Sequence, residues 1–198
     1  RLTFDVEYRG DRFTVRSRLV GEHWTLSIQA ALLTALELGA NQSACLEVIA
    51  SFEPLFNRMS VHPAPHGAWY VLDAYKASYF GTEACVDFLA KARAPRKSAV
   101  FGSISDRPSG GDRKRYTAIA RQALASADRV FFTGQDAARL RKLAGEEFPG
   151  RLFVVDKPED VRKAGFVYFA CSEDGTTAIE ANKRKIAFLF RNPAQAEN

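Results

Sequence analysis

The stretch WYVLDAYKASYFGTEACVDFLAKA, residues 69–92, predicts a strand, a polar turn and a helix in direct succession. Its first four residues are apolar and favour a β-strand, and the apolar positions that return from Phe80 onward follow a helical spacing. Between these two segments lie three polar side chains, Asp73, Lys76 and Ser78. Because ligands of open α/β sheets bind where a strand ends and a helix begins, these three residues are the first candidates for a functional site.

The alternation of strands and helices continues to residue 170. It predicts an α/β fold with a doubly wound, mainly parallel, Rossmann-like sheet that is covered by helices on both faces. A short strand at residues 59–61 is expected to pair with the strand at 69–72 as a hairpin. Further strands are predicted at residues 98–102, 128–133, 152–155, 165–170 and 185–190, and helices at residues 82–92, 116–126, 136–144 and 158–164.

The first 55 residues have a different pattern and predict a separate region. Alternating apolar and polar residues at 2–8 and 12–20 indicate a β-hairpin. Helical periodicity predicts one helix at residues 21–39, which stops at a glycine, and a second at 42–52 with Asn41 as its N-cap. We interpret residues 1–55 as a small hairpin-plus-helices remnant of another domain, and residues 56–198 as the α/β domain.

The bulk composition is that of an ordinary globular protein. Of the 198 residues, 46% are hydrophobic and 26% are charged, so wholesale disorder is not expected. No apolar run approaches the roughly 18 residues of a membrane span, and no signal peptide is recognisable. We therefore expect a cytoplasmic protein that does not bind membranes. Since the chain begins without Met inside a predicted strand, it is also expected to be a fragment of a longer protein.

The cysteines and histidines show no spacing that is typical of a metal site. The cysteines are odd in number, far apart and set among apolar neighbours, which favours reduced thiols in the core. No metal ligands are therefore predicted in this chain. The residues concerned are Cys45, Cys85 and Cys171, and His23, His62 and His66.

Basic residues are gathered in three clusters, at residues 91–97, 113–115 and 183–185, and the net charge is +5. Such clusters suit the phosphate groups of a nucleotide, or nucleic acid, or are simply a solvated face. A sequence pI of about 9.2 agrees with nucleic-acid binding. The acidic residues among the clusters count against it, however, so no nucleic-acid partner is predicted.

Three stretches, taken in chain order, resemble the Mur ligases and their relatives, the cyanophycin and folylpolyglutamate synthetases. The first is similar to the G-x-H-N-x-x-N-x-x-A-A…L-G helix that ends the central ATPase domain of the family. The second, FEPLFNRM at residues 52–59, resembles the F-x-P-x-x-x-R passage into the C-terminal domain. The third, LDAYKAS at residues 72–78, resembles the D-x-Y-x-A-N-P and D-S-K-A-T-N turns. The matching residues of the first stretch are Gly21, His23, Ala30, Ala31 and Gly39.

Two further stretches carry a weaker resemblance. VFGSISDRPSGGDRKRYTAIA, residues 100–120, is similar to the V-F-G-x-G-G-D-R…K-R loop of the diaminopimelate- or lysine-adding ligases. ACSEDGTTAIEAN, residues 170–182, resembles the A-C-A-S-x-D-x-F segment of the D-glutamate-adding enzyme. The resemblance thus extends over nearly the whole chain, at the level of the superfamily.

The resemblance implies an ATP-dependent ligase that joins a carboxylate to the amine of an amino acid through an acyl phosphate. The implied cofactors are ATP and Mg²⁺, held mainly by upstream domains of the same chain, and the partners are a small-molecule or peptide-precursor substrate and the amino acid. No G-x-x-x-x-G-K-[ST] motif occurs in this sequence, so the fragment is not expected to be active alone. Peptidoglycan, a storage polymer and a secondary metabolite all remain open as products.

The resemblance also implies site residues, led by Lys76 as the catalytic cation near the transferred phosphoryl group. Asp73 would orient Lys76 or bind the ribose, Arg58 would contact the nucleotide from the hinge, and His23 would lie near adenine. Each has an ordinary alternative as well: a solvated lysine, a turn aspartate, a surface ion pair or a helix-start histidine. The candidate substrate contacts are Ser78, Asp106, Arg107, Lys114 and Arg115; a flexible solvated loop is the alternative for the last four.

Several positions differ from the family pattern. Trp24 and Ser27 stand where the family has asparagines, and Ser78 and Tyr79 stand where the turn ends in Asn-Pro. These departures favour a second hypothesis, in which the chain is a non-catalytic, degenerate ligase-like module that binds a nucleotide or a peptide.

Overall fold

The computed structural model describes residues 1–63, 69–73, 79–102, 104, 112–156 and 186–191. The chain divides into two compact units, Arg1–Leu55 and Phe56–Asn198. We predict that the first unit is the end of an ATPase-type domain and that the second is a ligase domain. The division into units does not test these assignments.

The first unit begins with an antiparallel hairpin of β1 (Leu2–Tyr8) and β2 (Asp11–Ser17). Its turn has positive φ angles at Arg9 (53°) and Gly10 (87°), the pair of left-handed residues that a two-residue hairpin turn needs. The predicted hairpin is confirmed, although the second strand ends earlier than residue 20.

Two helices complete this unit, α1 (Trp24–Glu37) and α2 (Gln42–Ser51). At the start of α2 the side chain of Asn41 accepts a hydrogen bond from the backbone N–H of Ala44 at 3.0 Å, which confirms the predicted N-cap. The glycine that was predicted to stop α1, Gly39, has φ of 85°, a conformation that L residues rarely adopt. The small core joins both strands to α1 through buried residues, which are Leu2, Val6, Val15, Leu19, Ile28 and Leu32.

Among the described residues, the second unit forms a six-stranded sheet in the order β3-β4-β8-β5-β6-β7. Strands β5, β6 and β7 are parallel neighbours, and β4 runs in the same direction because β8 is antiparallel to both β4 and β5. Four of the six strands therefore share one direction. The strands are β3 (Ser60–Pro63), β4 (Trp69–Asp73), β5 (Arg96–Phe101), β6 (Arg129–Thr133), β7 (Leu152–Val155) and β8 (Ile186–Arg191).

This sheet confirms the predicted α/β fold with mainly parallel strands. One feature differs from a simple parallel order, since the last strand, predicted at residues 185–190, lies inside the sheet and runs against its neighbours. Residues 186–190 form a continuous apolar run, which is typical of a strand buried on both faces, but the sequence pattern carries no information on its direction.

Helices connect the parallel strands, with α3 (Tyr79–Lys91) between β4 and β5 and α4 (Asp112–Leu124) between β5 and β6. The helix predicted at 136–144 is a 3₁₀ helix, Gln135–Leu140, followed by the short α5, Arg141–Glu146. The helix and strand predicted at residues 158–170 lie outside the described residues. None of the described helices is long and apolar enough to cross a membrane.

Aromatic side chains form much of the core beneath these helices. Phe101 and Phe132 stack with ring centroids 4.8 Å apart, and Phe131 stacks on Phe153 at the same separation. Phe101, Phe131 and Phe132 have no solvent exposure. Because these residues come from adjacent parallel strands, their stacking ties β5, β6 and β7 together independently of the backbone hydrogen bonds.

Two basic side chains close helices at the amino end of this sheet. The ammonium of Lys97, in β5, donates to the carbonyl oxygens of Leu89 (2.9 Å) and Ala90 (3.2 Å) in the last turn of α3. The guanidinium of Arg151, just before β7, donates to the carbonyls of Leu124 (2.6 Å) and Ala127 (2.9 Å) after α4. Since helix C-termini leave carbonyls without partners and carry partial negative charge, both contacts stabilise the fold.

Candidate functional site

The carboxyl ends of β4, β5, β6 and β7 meet at one edge of the sheet, because these strands share one direction. The register places Asp73 opposite Ile186, Ile186 opposite Phe101 and Phe101 opposite Phe132. Asp73 therefore lies in the same row as the ends of β5 and β6, separated from β5 by one strand and so by roughly 10 Å. In α/β sheets this edge is where ligands bind.

Asp73 is the last residue of β4 and is half-buried. Its Oδ2 lies 2.9 Å from Sγ of Cys85 on α3, which donates its S–H to the carboxylate. Cys85 has only 1% of its surface exposed. Asp73, a site residue predicted from the sequence, is thus held by a hydrogen bond from Cys85. The sequence indicated Cys85 only as a buried thiol.

The thiol of Cys85 stays protonated to a higher pH than an ordinary cysteine thiol. Burial raises its pKa well above the ordinary value, and the negative charge of Asp73 and the hydrogen bond to it raise the pKa further. Cys85 is therefore a neutral donor and is not a nucleophile, since the thiolate is the reactive form of cysteine.

The chain that leaves β5 at this edge is anchored by a tyrosine of α4. The backbone N–H of Ile104 donates to the hydroxyl oxygen of Tyr116 at 3.1 Å. The ring of Tyr116 packs against Phe132 with centroids 5.9 Å apart, and both side chains are buried. This contact fixes where the segment between β5 and α4 begins.

The first turns of α4 carry two of the predicted substrate contacts. Lys114 is exposed and Arg115 is half-buried. Both follow Asp112, where α4 begins, and hence lie near the end of the helix that favours anions. A negatively charged group at this helix end would be attracted by the helix terminus and by these two cations together.

Arg58 precedes β3 and is exposed. Its chain neighbours Asn57 and Met59 both have positive φ angles, 62° and 49°. Met59 is buried, with its Sδ 3.6 Å from the Sγ of Cys85. Because Cys85 also contacts Asp73, the structure brings Arg58 and Asp73 to the same end of the β3–β4 hairpin.

A histidine belongs to the same hairpin. Nε2 of His62 lies 2.8 Å from Oγ of Ser60, which also accepts the backbone N–H of Asn57 at 3.1 Å. The imidazole stacks on Tyr70 with centroids 5.1 Å apart. Burial lowers the pKa of His62, so the imidazole stays neutral to lower pH than usual and can accept from the serine hydroxyl.

His23, the predicted adenine contact, lies in the first unit. It is the N-cap residue of α1, is exposed, and makes no capping hydrogen bond with its side chain. Its ring lies 5.2 Å from that of Trp24 at an angle of 41°. It therefore belongs to a different unit from Asp73, and its predicted role stays a prediction.

Four predicted site residues lie outside the described residues: Lys76, Ser78, Asp106 and Arg107. The described residues contain no group of three or more His, Cys, Asp or Glu side chains that could hold a metal ion. Sequence reasoning missed the supporting roles of Cys85 and Tyr116. Both lie in helices at apolar positions, where the sequence indicates burial but not the partner across the core.

The family model described as "Mur ligase, glutamate ligase domain" matches residues 57–174 of the chain. This range includes the β3–β4 hairpin, α3 and the parallel strands of the sheet. Comparison with curated protein sequences gives no match.

Solved structures of related fold include two of MurF from Acinetobacter baumannii, with TM-scores of 0.65 and 0.67 and 19% identity. For both, the match covers 80% of this chain and 34% of the other. A third is UDP-N-acetylmuramoyl-L-alanyl-D-glutamate–2,6-diaminopimelate ligase, with a TM-score of 0.53, 21% identity, and coverage of 84% and 35%. At these identities the likeness is one of fold, and the chain spans about a third of the length of these proteins.

Proposed function

Because the chain belongs to the Mur ligase family, through its glutamate ligase domain, we propose that it is the C-terminal part of an ATP-dependent ligase that forms an amide bond. The acceptor is a carboxylate, such as that of a UDP-N-acetylmuramoyl peptide precursor, and the donor of the amine is an amino acid. The observation that carries the proposal is Asp73, held at the carboxyl end of β4 in one row with the ends of β5 and β6.

The proposed reaction has two steps. An oxygen of the acceptor carboxylate attacks the γ-phosphorus of ATP, the bond to the bridging oxygen breaks, and ADP leaves, so that an acyl phosphate forms. The amine nitrogen then attacks the acyl carbon, the C–N bond forms, phosphate leaves with the C–O bonding pair, and the amine loses a proton. Negative charge develops on oxygen in both steps, so fixed cations and hydrogen-bond donors at the site accelerate them.

The side chains of this chain divide between the two substrates. Lys76 stabilises the charge on the transferred phosphoryl group, and Asp73 orients that ammonium or binds the ribose. Arg107, which follows β5 in the sequence, binds the α-carboxylate of the incoming amino acid with a bidentate contact. Ser78, Asp106, Lys114 and Arg115 complete the substrate contacts, and His23 lies near adenine. Arg58 contacts the nucleotide beside Asp73; the shared position of these two residues at one end of the hairpin supports this pairing.

Mg²⁺ and the phosphate-binding loop belong to another part of the enzyme in this proposal. Mg²⁺ prefers several oxygen ligands, often carboxylates. Within the described ranges no acidic cluster of that kind occurs. We therefore propose that the described part of the chain binds the sugar and phosphate groups of the nucleotide and the amino acid. No reaction step is assigned to a metal bound by this part of the chain.

The test is a ligation assay on the complete protein that contains this chain. Phosphate should be released from ATP only when an acceptor carboxylate and an amino acid are both present. With an acceptor whose carboxylate oxygens carry a heavy isotope, one labelled oxygen should appear in the released phosphate, because the acyl phosphate loses that oxygen with the phosphate.

The outcome that would contradict ligation is nucleotide binding without hydrolysis for every acceptor and amino acid tried. Calorimetry with ATP and Mg²⁺ would detect it. That result would favour the alternative of a degenerate, non-catalytic module, which the substitutions Trp24 and Ser27 first suggested.

A further inference from the structure

The contact between Cys85 and Asp73 joins a rigid helix to the last residue of a strand. On α3, the buried face consists of Thr82, Cys85, Val86 and Leu89, whose spacing of three and four residues forms one stripe. Each is at most 1% exposed. A cysteine side chain has one torsion between its backbone and its sulphur, so a helix that is packed in this way leaves the thiol little freedom.

Two acceptors compete for the single thiol proton of Cys85. Sγ lies 2.9 Å from Oδ2 of Asp73 and 3.6 Å from Sδ of Met59. A carboxylate is a charged acceptor, whereas a thioether sulphur accepts only weakly. The proton therefore points to Asp73, and Met59 supplies a packing contact to the same sulphur.

The kind of donor matters at this position. A lysine or arginine behind Asp73 would neutralise its charge, and a water molecule would be mobile. The neutral thiol of Cys85 fixes one carboxylate oxygen and leaves the net negative charge of the side chain in place. Such a carboxylate keeps its orientation and can still attract a cation or accept from a ribose hydroxyl.

From this geometry we infer that Cys85 is a positioning residue, which holds the carboxylate of Asp73 in its productive orientation at the candidate site. The inference rests on the proposed function for the role of Asp73. The hydrogen bond between Cys85 and Asp73 can be tested without measuring ligase activity.

The contact itself is tested by the S–H stretching band of the 198-residue chain, measured by infrared or Raman spectroscopy. The difference between wild type and Cys85→Ala identifies the Cys85 band against the other cysteines. Asp73→Asn should move this band to higher frequency, because the charged acceptor is replaced by a weaker one. A band that does not move in Asp73→Asn would overturn the inference.

The consequence for activity is tested in the complete protein. Cys85→Ala should lower kcat by roughly tenfold, the effect expected when a hydrogen bond to a charged group is lost. Cys85→Ser keeps a donor of similar size and should restore most of kcat. Cys45→Ala, which removes a half-buried thiol of the first unit, is the matched control and should leave kcat unchanged.

The outcomes separate a positioning role from a structural one. If Cys85→Ala lowers the unfolding temperature and leaves kcat unchanged, or if Cys85→Ser fails to restore kcat although it is folded, the thiol serves only packing and the inference is wrong. Absence of ligase turnover in the wild-type protein would instead contradict the proposed function. The S–H band would still show whether Cys85 donates a hydrogen bond to Asp73.

Discussion

The two ends of the sheet in the second unit use charged side chains in different ways. At the amino end, Lys97 and Arg151 donate to carbonyl oxygens that the helices leave without partners. At the carboxyl end, the carboxylate of Asp73 accepts a hydrogen bond from the neutral thiol of Cys85, and Lys114 is exposed in the first turn of α4. The two cations at the amino end therefore bind backbone carbonyls, whereas Asp73 at the carboxyl end keeps its negative charge beside a neutral donor.

This difference separates basic residues that the sequence alone treats alike. The cluster at residues 91–97 was open to interpretation as a phosphate site, nucleic-acid contact or solvated face. In the structure, the ammonium of Lys97 donates to the carbonyls at the end of α3, and its backbone N–H donates to the carboxylate of Asp128 at 2.7 Å. Position relative to the strand direction thus distinguishes a structural cation from a candidate ligand contact.

The largest effect is expected from Lys76, which follows Asp73 by three residues in the sequence. Lys76→Ala should lower turnover of the complete protein by roughly 10²-fold or more, because a fixed cation near the transferred phosphoryl group would be lost. Its unfolding temperature should not change. Lys142→Ala is the matched control, since Lys142 is an exposed lysine that lies 3.8 Å from Glu146 on α5. Equal turnover in the two variants would remove the role of Lys76.

A smaller effect, on stability alone, is expected at the amino end. Arg151→Met should lower the free energy of unfolding by about 1–2 kcal/mol, because the carbonyls of Leu124 and Ala127 lose their donor. The control Arg141→Met breaks an exposed ion pair with Asp156 and should cost under about 1 kcal/mol. Urea denaturation measures both. Lost turnover in a stable Arg151→Met protein would contradict the division between the two ends.

The anchor after β5 is expected to contribute less. Tyr116→Phe should cost about 1 kcal/mol, because it leaves the buried N–H of Ile104 without its acceptor. Tyr8→Phe removes an exposed hydroxyl that donates to Glu37 at 2.8 Å and is the matched control, with a smaller cost. If denaturation shows equal costs for the two variants, the tyrosine hydroxyl does not anchor the start of the loop.

The smallest effect concerns pH. The folded state lowers the pKa of His62, so the unfolded chain binds more protons below the ordinary histidine pKa. This contribution to stability is fully present above the ordinary pKa of about 6.5 and is lost as the pH falls toward the lower, folded value. As the side chain is partly exposed, the effect should be well under about 1 kcal/mol. Denaturation at several pH values should show it in wild type and not in His62→Gln.

Much of the secondary structure could be predicted because its signals are local. The strand Leu152–Val155 has the predicted bounds, and the Asn41 cap is confirmed. The predicted helix at 136–144 was wrong in type over its first part, where a 3₁₀ helix forms after Gly134 with φ of 98°. Apolar spacing over so few residues does not distinguish the two helix types.

The sequence predicted where in the chain the candidate site lies, but not which side chains contact it. The end of the strand at Asp73 follows from the change from apolar to polar residues, and a strand followed by a helix marks the edge where ligands bind. The partners of that site were not predictable, because Cys85 and Tyr116 lie at apolar helix positions that any buried residue could occupy.

By itself, the sequence determined where most of the described strands and helices lie, that they form an α/β fold, and which family the chain resembles. These properties depend on residue types and spacing within short windows. Tertiary structure alone decided that the last strand runs antiparallel between β4 and β5, that Lys97 and Arg151 close helices, and that Cys85 holds Asp73. Each of these features brings together groups that are distant in the sequence. No local sequence pattern indicates which distant group a side chain will contact in the folded protein.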